Sequence, residues 1–282
     1  MCGTLESHIE GSEGDLMHPT FFAGTGYEIN SWYLLLLVGA VVAAVSSTLR
    51  RPKDFPVSFS GYLFLVLLMV YFGTLFSKLL SMVLHHKDFI HTTEIIVYPG
   101  IKSSVISGNT FPEEIKISGN AFMGGLSGII AAVFLFAKLR IRRISFLKLA
   151  DHIVPYVFLM QAFTRIGCFL YGCCYGKATQ LPWGCIFPNA GTSPVHPVQL
   201  YLCIADLINF FTMRYLYKKG QKPGVVFFAS LTFFGFVRFF IEFLRVDSTR
   251  LFSVFTIANL STFCFFIIGI LGVHYSKKRS VL

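Results

Sequence analysis

Charge is what this 282-residue chain has least of. Only 13% of its residues are Asp, Glu, Lys or Arg, about half the share of a soluble domain. So few charges cannot clothe a core of this size in water. That excludes an ordinary soluble globular domain and leaves lipid as the solvent for most of the exterior. Acids are scarcer than bases, 14 against 24. The resulting charge of +10 does not mark a nucleic-acid binder, because the basic residues fall in short clusters between apolar runs and not on one polar face or tail. Residues 1–30 contain no Lys or Arg, so the positive opening of a secretory signal peptide is missing. Cys2 has no apolar run ahead of it and reads as an ordinary thiol. No internal repeat or low-complexity tract stands out.

What fills the chain instead is apolar: 54% hydrophobic residues, with 32 phenylalanines. Seven stretches read as membrane-spanning helices, over 31–49, 60–83, 120–138, 147–170, 197–217, 224–244 and 251–274. Each is near or above the ~20 residues that cross a ~30 Å hydrocarbon layer. The expected class is an all-α polytopic membrane protein. Basic residues cluster in alternate loops: Arg50, Arg51 and Lys53; Lys138, Arg140, Arg142, Arg143 and Lys148; Arg214, Lys218, Lys219 and Lys222; Lys277, Lys278 and Arg279. Most acids, Glu6 to Glu28 and Glu94 to Glu114 among them, lie on the opposite side. The positive-inside rule then puts the N-terminus outside and the C-terminus in the cytoplasm. This divides the chain into an external segment 1–30, a seven-helix domain 31–276 with long external loops at 84–119 and 171–196, and a cytoplasmic tail 277–282.

An ionisable residue inside a span is a functional candidate by default. The sixth span contains "FFGFVRFFIEFLRVDS", residues 233–248. Arg238, Glu242 and Arg245 recur at i, i+4 and i+7, one face of a helix. From a start near Gly224, Arg238 lies about 21 Å along at ~1.5 Å per residue, in the outer third of the membrane. Phenylalanines flank that face, so it is no solvated stripe. Its structural reading is an Arg–Glu pair with a second Arg reaching outward. The functional reading is an anion site, with Glu242 orienting Arg238 toward a phosphate. Arg165, near the outer end of the fourth span, either snorkels or joins that site; the glycines at 167, 172 and 176 allow close backbone approach. Asp206 reads as structural, and Lys78 as snorkelling.

The stretch "RIGCFLYGCCYGK", 165–177, also carries thiols. Cys168, Cys173, Cys174, Cys185 and His196 admit three readings: packed free thiols, a loop disulfide of Cys173 or Cys174 with Cys185, and a soft-metal set. The spacing C-x4-C-C-x10-C-x10-H matches no common zinc pattern, so neither metal nor cofactor is expected. Cys203 and Cys264 read as small apolar residues. Trp183, Tyr171 and Tyr175 suit an interfacial belt.

Taken together, "TRIGCFLYGCCYGK" (164–177), "WGCIFP" (183–188), "VHPVQLY" (195–201), "MGGLSG" (123–128) and "FGFVRFFIEFLR" (234–245) resemble the bacterial prolipoprotein diacylglyceryl transferases; "SWY" (31–33) is a weaker match. The motifs keep the family order. The resemblance implies a seven-span enzyme of the bacterial inner membrane. Such enzymes move the diacylglyceryl group of phosphatidylglycerol onto the lipobox cysteine of a prolipoprotein, forming a thioether and releasing glycerol phosphate. Its implied partners are phosphatidylglycerol, the prolipoprotein lipobox segment and membrane lipids. Its implied catalytic residues are Arg165, Arg238 and Glu242. Arg245, Tyr33, Gly124, Gly125, Gly167, Gly172, Gly176, Gln199 and Tyr201 are implied at the substrate site, and His196 belongs to the same His-Pro-x-Gln-Leu-Tyr motif.

Several family positions are changed. A histidine before the Gly-Gly pair is Met123, the signature asparagine is Cys168, and the glutamate five residues on is Cys173. A tyrosine four residues before the essential arginine is Phe234, and a glutamate after Leu-Tyr is Leu202. Anion-binding positions are mostly kept, while several neutral or acid–base polar positions are changed. His196 is then the nearest candidate base in sequence, and reads equally well as a structural histidine. The replaced positions also admit a relative that binds anionic lipid or serves a different acceptor.

Overall fold

The computed structural model describes residues 20–21, 29–52, 57–84, 121–140, 145–187, 190–246 and 255–278. Most of segment 1–30, expected to be external, and nearly all of the loop 84–119 therefore lie outside the described residues. Among the described residues seven helices follow in chain order: α1 Ser31–Leu49, α2 Phe59–Leu84, α3 Ala121–Arg140, α4 Phe146–Tyr171, α5 Val198–Lys218, α6 Val225–Glu242 and α7 Ile257–Lys278. Among the described residues the departures from an all-α fold are a two-residue antiparallel pair, β1 Thr20–Phe21 with β2 Ile29–Asn30, and isolated bridges in the loop 172–197.

Local chemistry sets the helix ends. Asn30 caps α1 by accepting from the Trp32 N–H at 3.0 Å, and Ser145 caps α4. Helix α7 starts at Ile257, not at 251, because Thr256 and Asn259 cap it reciprocally. The Asn259 N–H donates to Thr256 Oγ1 at 3.0 Å and the Thr256 N–H to Asn259 Oδ1 at 3.1 Å. Helix α6 stops at Glu242, short of the expected 244. The next residues leave the helix to pair with a loop: the Lys177 N–H donates to the Leu244 carbonyl at 2.7 Å, and Gly176 bridges Arg245.

Among the described residues five helices, α1, α2, α4, α6 and α7, are long and apolar enough to cross a membrane. The apolar stretch of α3, Gly124–Leu139, is shorter. Helix α5 is less apolar because four of its polar residues, Gln199, Asp206, Asn209 and Arg214, turn inward and are buried. Large apolar side chains face outward instead, among them Leu49, Phe211 and Leu271, all more than 60% exposed; such a surface suits hydrocarbon.

Helices α2 and α3 pack through Gly124 and Gly128. A Cβ at either would strike the backbone of α2, at the Phe76 and Phe72 carbonyls. That is the small-xxx-small device that brings membrane helices together. The pair rests on α4 through a core that includes Tyr62, Leu65, Phe136, Leu149 and Ile153. Gly167 lets α1 lie against α4: a Cβ there would sit 2.9 Å from the Trp32 Cα.

Candidate functional site

The candidate site forms where the C-terminal ends of α4 and α6 meet the N-terminal ends of α1, α3 and α5. Arg238 of α6 ion-pairs with Glu242 one turn on, Nη2 to Oε2 2.9 Å, and Arg245 Nε lies 3.9 Å from the same oxygen. The Arg238 and Glu242 side chains are 7% and 2% exposed. One carboxylate thus faces two guanidiniums, and the group keeps a net positive charge. Arg165 of α4 belongs to the same electrostatic cluster. Buried Asp206 of α5 interacts with both Arg165 and Arg238, and the two arginines interact with each other. Asp206 Oδ2, Arg165 Nε and Arg238 Nη1 have no hydrogen-bond partner among the described residues. A dry cluster with spare donors and surplus positive charge is arranged for an anion.

Beside it opens a cavity of about 380 Å³. Its wall is mostly apolar, built from Leu36, Met69, Ile129, Ile153, Leu231 and Phe234 among others, with Arg165, Gln161, Thr164 and Cys168 among its polar points. The two arginines do not share one open chamber. Arg238 lines a separate void of about 10 Å³ with Asp206, Leu202 and Phe234. Phe234 lines both spaces and stands between them.

The other residues expected at the site fall into three groups. Gly125 lines the cavity, as does Trp32, which the sequence did not single out. Tyr33, its neighbour, is half exposed with its ring 4.6 Å from that of Trp32. Gly124 and Gly167 are occupied by helix packing. The remainder organise the loop 172–197. Gly172, at φ 78, ends α4 in the left-handed conformation, with the Cys173 N–H donating to the Cys168 carbonyl at 3.1 Å. Gly176 runs so close to the next segment that a Cβ would lie 2.7 Å from the Leu244 carbonyl. Buried Gln199 donates from Nε2 to the Cys173 carbonyl. Tyr201 accepts from Trp183 Nε1 at 2.8 Å and lies 3.2 Å from His196 Nδ1. His196 therefore clamps the loop and does not line the cavity. Met123 stands in α3 with its side chain outside the described set.

The thiols separate. Cys168, Cys173 and Cys174 gather with their Sγ atoms within 4.8 Å of one another. Cys185 packs elsewhere, with Phe187 and Val195, and its Sγ faces the Trp183 carbonyl. The loop disulfide considered from sequence is therefore not formed. Burial pushes the Cys185 thiol up. Hydrogen bonding with the Cys168 and Cys173 thiols holds Cys174 well below the usual thiol range, and Arg245 and Arg165 add to this against the cost of burial.

Sequence reasoning set Asp206 aside as structural, and the fold brings it within electrostatic reach of both arginines. Its signal was present: an acid mid-span, seven residues after Gln199 and so on the same helix face.

The profile of the family described as prolipoprotein diacylglyceryl transferase matches residues 19–275. A phosphatidylglycerol–prolipoprotein diacylglyceryl transferase of Clostridium tetani is 31% identical over 269 residues, covering 93% of this chain and 99% of the relative. The enzyme of the same name from Aeromonas hydrophila is 33% identical over 173 residues, 60% of this chain and 62% of its own length. That of Cupriavidus necator is 40% identical over 129 residues, 45% of this chain and 47% of the relative. With a match running through every described helix and the arginine cluster, the chain belongs to the prolipoprotein diacylglyceryl transferase family.

Proposed function

We propose that this chain transfers the diacylglyceryl group of phosphatidylglycerol to the lipobox cysteine of a prolipoprotein. The thiolate attacks the terminal glycerol carbon of the diacylglyceryl group. The carbon–oxygen bond to phosphate breaks, glycerol phosphate leaves with the bonding pair, and the thiol proton passes to a base. A free thiol of pKa about 8.5 is only slightly ionised at neutral pH, so the site must favour the thiolate as well as the departing phosphate.

The observation that carries this reading is the surplus of guanidinium over carboxylate beside a large apolar cavity. The cavity suits acyl chains. Arg165 takes the phosphate at the cavity wall, and Arg238, oriented by Glu242 and seconded by Arg245, stabilises the charge that builds on the leaving oxygen. Gly125 and Tyr33 border the lipid, while Gly172, Gly176, Gln199, Tyr201 and His196 hold the loop over the site. Of its two sequence readings, His196 fits the loop clamp better than the base, given its bond to Tyr201. All seven helices span the bacterial inner membrane, with the site in the leaflet facing away from the cytoplasm and the basic loops inside.

The test is restoration of lipoprotein maturation in cells depleted of their own transferase, with Arg238→Ala as the control that abolishes it. The thiols in place of family polar residues, Cys168 and Cys173, favour a second reading, a relative with another acceptor. Failure to restore maturation, with phosphatidylglycerol still bound and lost on Arg238→Ala, selects that reading.

A further inference from the structure

The three gathered thiols take no part in that chemistry. Three local features bring them together. Cys168 lies on the last turn of α4, Gly172 turns the chain back, and Cys174 adopts φ 65. A left-handed conformation at a residue with a Cβ costs about 1 kcal/mol, so the turn forms against its local preference. Cys168 and Cys173 are 4% and 7% exposed, and among the described residues no imidazole or carboxylate belongs to the group. The spacing that spoke against a metal included Cys185 and His196, and the fold removes both from the set.

We propose that Cys168, Cys173 and Cys174 form a three-sulfur site for a soft monovalent cation, copper(I) by its chemistry. With metal–thiolate bonds of about 2.3 Å, as for zinc, a trigonal set holds its sulfurs about 4 Å apart, within the observed grouping. Thiolate-only ligation selects soft metals, and a structural zinc site takes four ligands where this group offers three. Binding releases the protons of any thiols still protonated and leaves a complex with two net negative charges. The surroundings match that charge: Arg165 interacts with all three thiols and Arg245 with Cys174. A second consequence rests on the transferase reading. Arg165 cannot fully serve both the copper–thiolate complex and a lipid phosphate, so bound copper weakens phosphatidylglycerol binding.

The experiment titrates the full-length protein in detergent, without oxygen, with copper(I) held by bicinchoninate. The protein is expected to withdraw one equivalent and to show an ultraviolet sulfur-to-copper band. Cys168→Ser, Cys173→Ser and Cys174→Ser each weaken the affinity by at least about tenfold, and Cys185→Ser leaves it unchanged. No withdrawal of copper, or an equal loss in Cys185→Ser, overturns the proposal. X-ray absorption on the unmutated protein gives a check that needs no variant to fold: three sulfur neighbours support the site, and nitrogen or oxygen neighbours overturn it. Transfer activity of the metal-free protein is measured separately, so failure of the copper site and failure of the transferase reading are told apart.

Discussion

The two ends of the helix bundle bury similar groups and treat them differently. At the end that carries the basic loops, Asp151, His152 and Arg214 are buried with Tyr62 and Tyr156. Here the charges meet structural groups, although Arg214 Nε and Nη1 lack a hydrogen-bond partner among the described residues. Asp151 accepts from the Gly224 and Phe227 N–H groups at 2.6 and 2.7 Å, placing a carboxylate on the positive end of α6. His152 Nε2 lies 3.2 Å from the Ser47 carbonyl. The Arg214 guanidinium stands 5.3 Å from the Tyr156 ring and 5.8 Å from that of Tyr217, an attractive cation–π arrangement. The adjoining void is about 20 Å³, room for about one water. At the other end one carboxylate serves two arginines beside a cavity of about 380 Å³. Buried charge alone therefore does not mark a site; surplus charge with space beside it does.

The sharpest way to break this comparison is to remove one arginine from each end. Arg238→Ala or Arg165→Ala is expected to lower transfer by about 10²- to 10³-fold, the usual loss when one stabilising donor goes, with the fold intact by circular dichroism. Arg214→Ala is expected to lower the melting temperature while folded protein keeps its turnover within a few-fold. An inactive but well-folded Arg214→Ala would place function at the basic end too.

Glu242→Gln comes next. It leaves Arg238 without its counter-charge, and breaking a buried pair on one side costs about 3–5 kcal/mol of stability. Because the arginine remains, transfer assays should show a smaller loss than Arg238→Ala, about 10- to 100-fold. A loss as large as that of Arg238→Ala would mean that Glu242 itself touches the reacting atoms. Asp151→Asn, its counterpart at the basic end, keeps one acceptor oxygen of two. Thermal denaturation should report a loss of about 2 kcal/mol, with no change in turnover of the folded enzyme.

Much of this division was legible in the sequence. Helix positions followed from apolar runs and basic loops. The Arg238–Glu242 pair followed from its i, i+4 spacing on one helix; Arg245, expected on the same helix face, lies beyond the end of α6 and approaches Glu242 from the turn that follows. What depended on the meeting of distant segments was not legible. Asp206 lies 41 positions from Arg165 and 32 from Arg238 in the chain, and nothing local ties it to either. The candidate ligands, four thiols and His196, could not be sorted to three thiols without the turn at Gly172 and Cys174. The end of α6 was misplaced because its last turn competes with the loop at Gly176 and Lys177 for backbone partners.

The smallest expected effect concerns His196, whose sequence reading offered a base and a structural histidine with equal weight. If it is the base, its loss removes proton transfer, worth about 10²- to 10⁴-fold in rate. Its ring, however, is held by the Tyr201 hydroxyl, which also accepts from Trp183, and its backbone carbonyl accepts from the Gly176 N–H at 2.8 Å. The backbone bond survives substitution; only the bond from the ring is lost. His196→Ala should therefore keep transfer within about threefold, the loss of one hydrogen bond of about 0.5–1.5 kcal/mol acting mainly on the loop. Hydrogen exchange over 176–201 should rise in the variant, while exchange at the basic end stays as it was. A rate loss of a hundredfold with unchanged exchange would restore the base reading and extend the surplus of function at this end from charge to proton transfer.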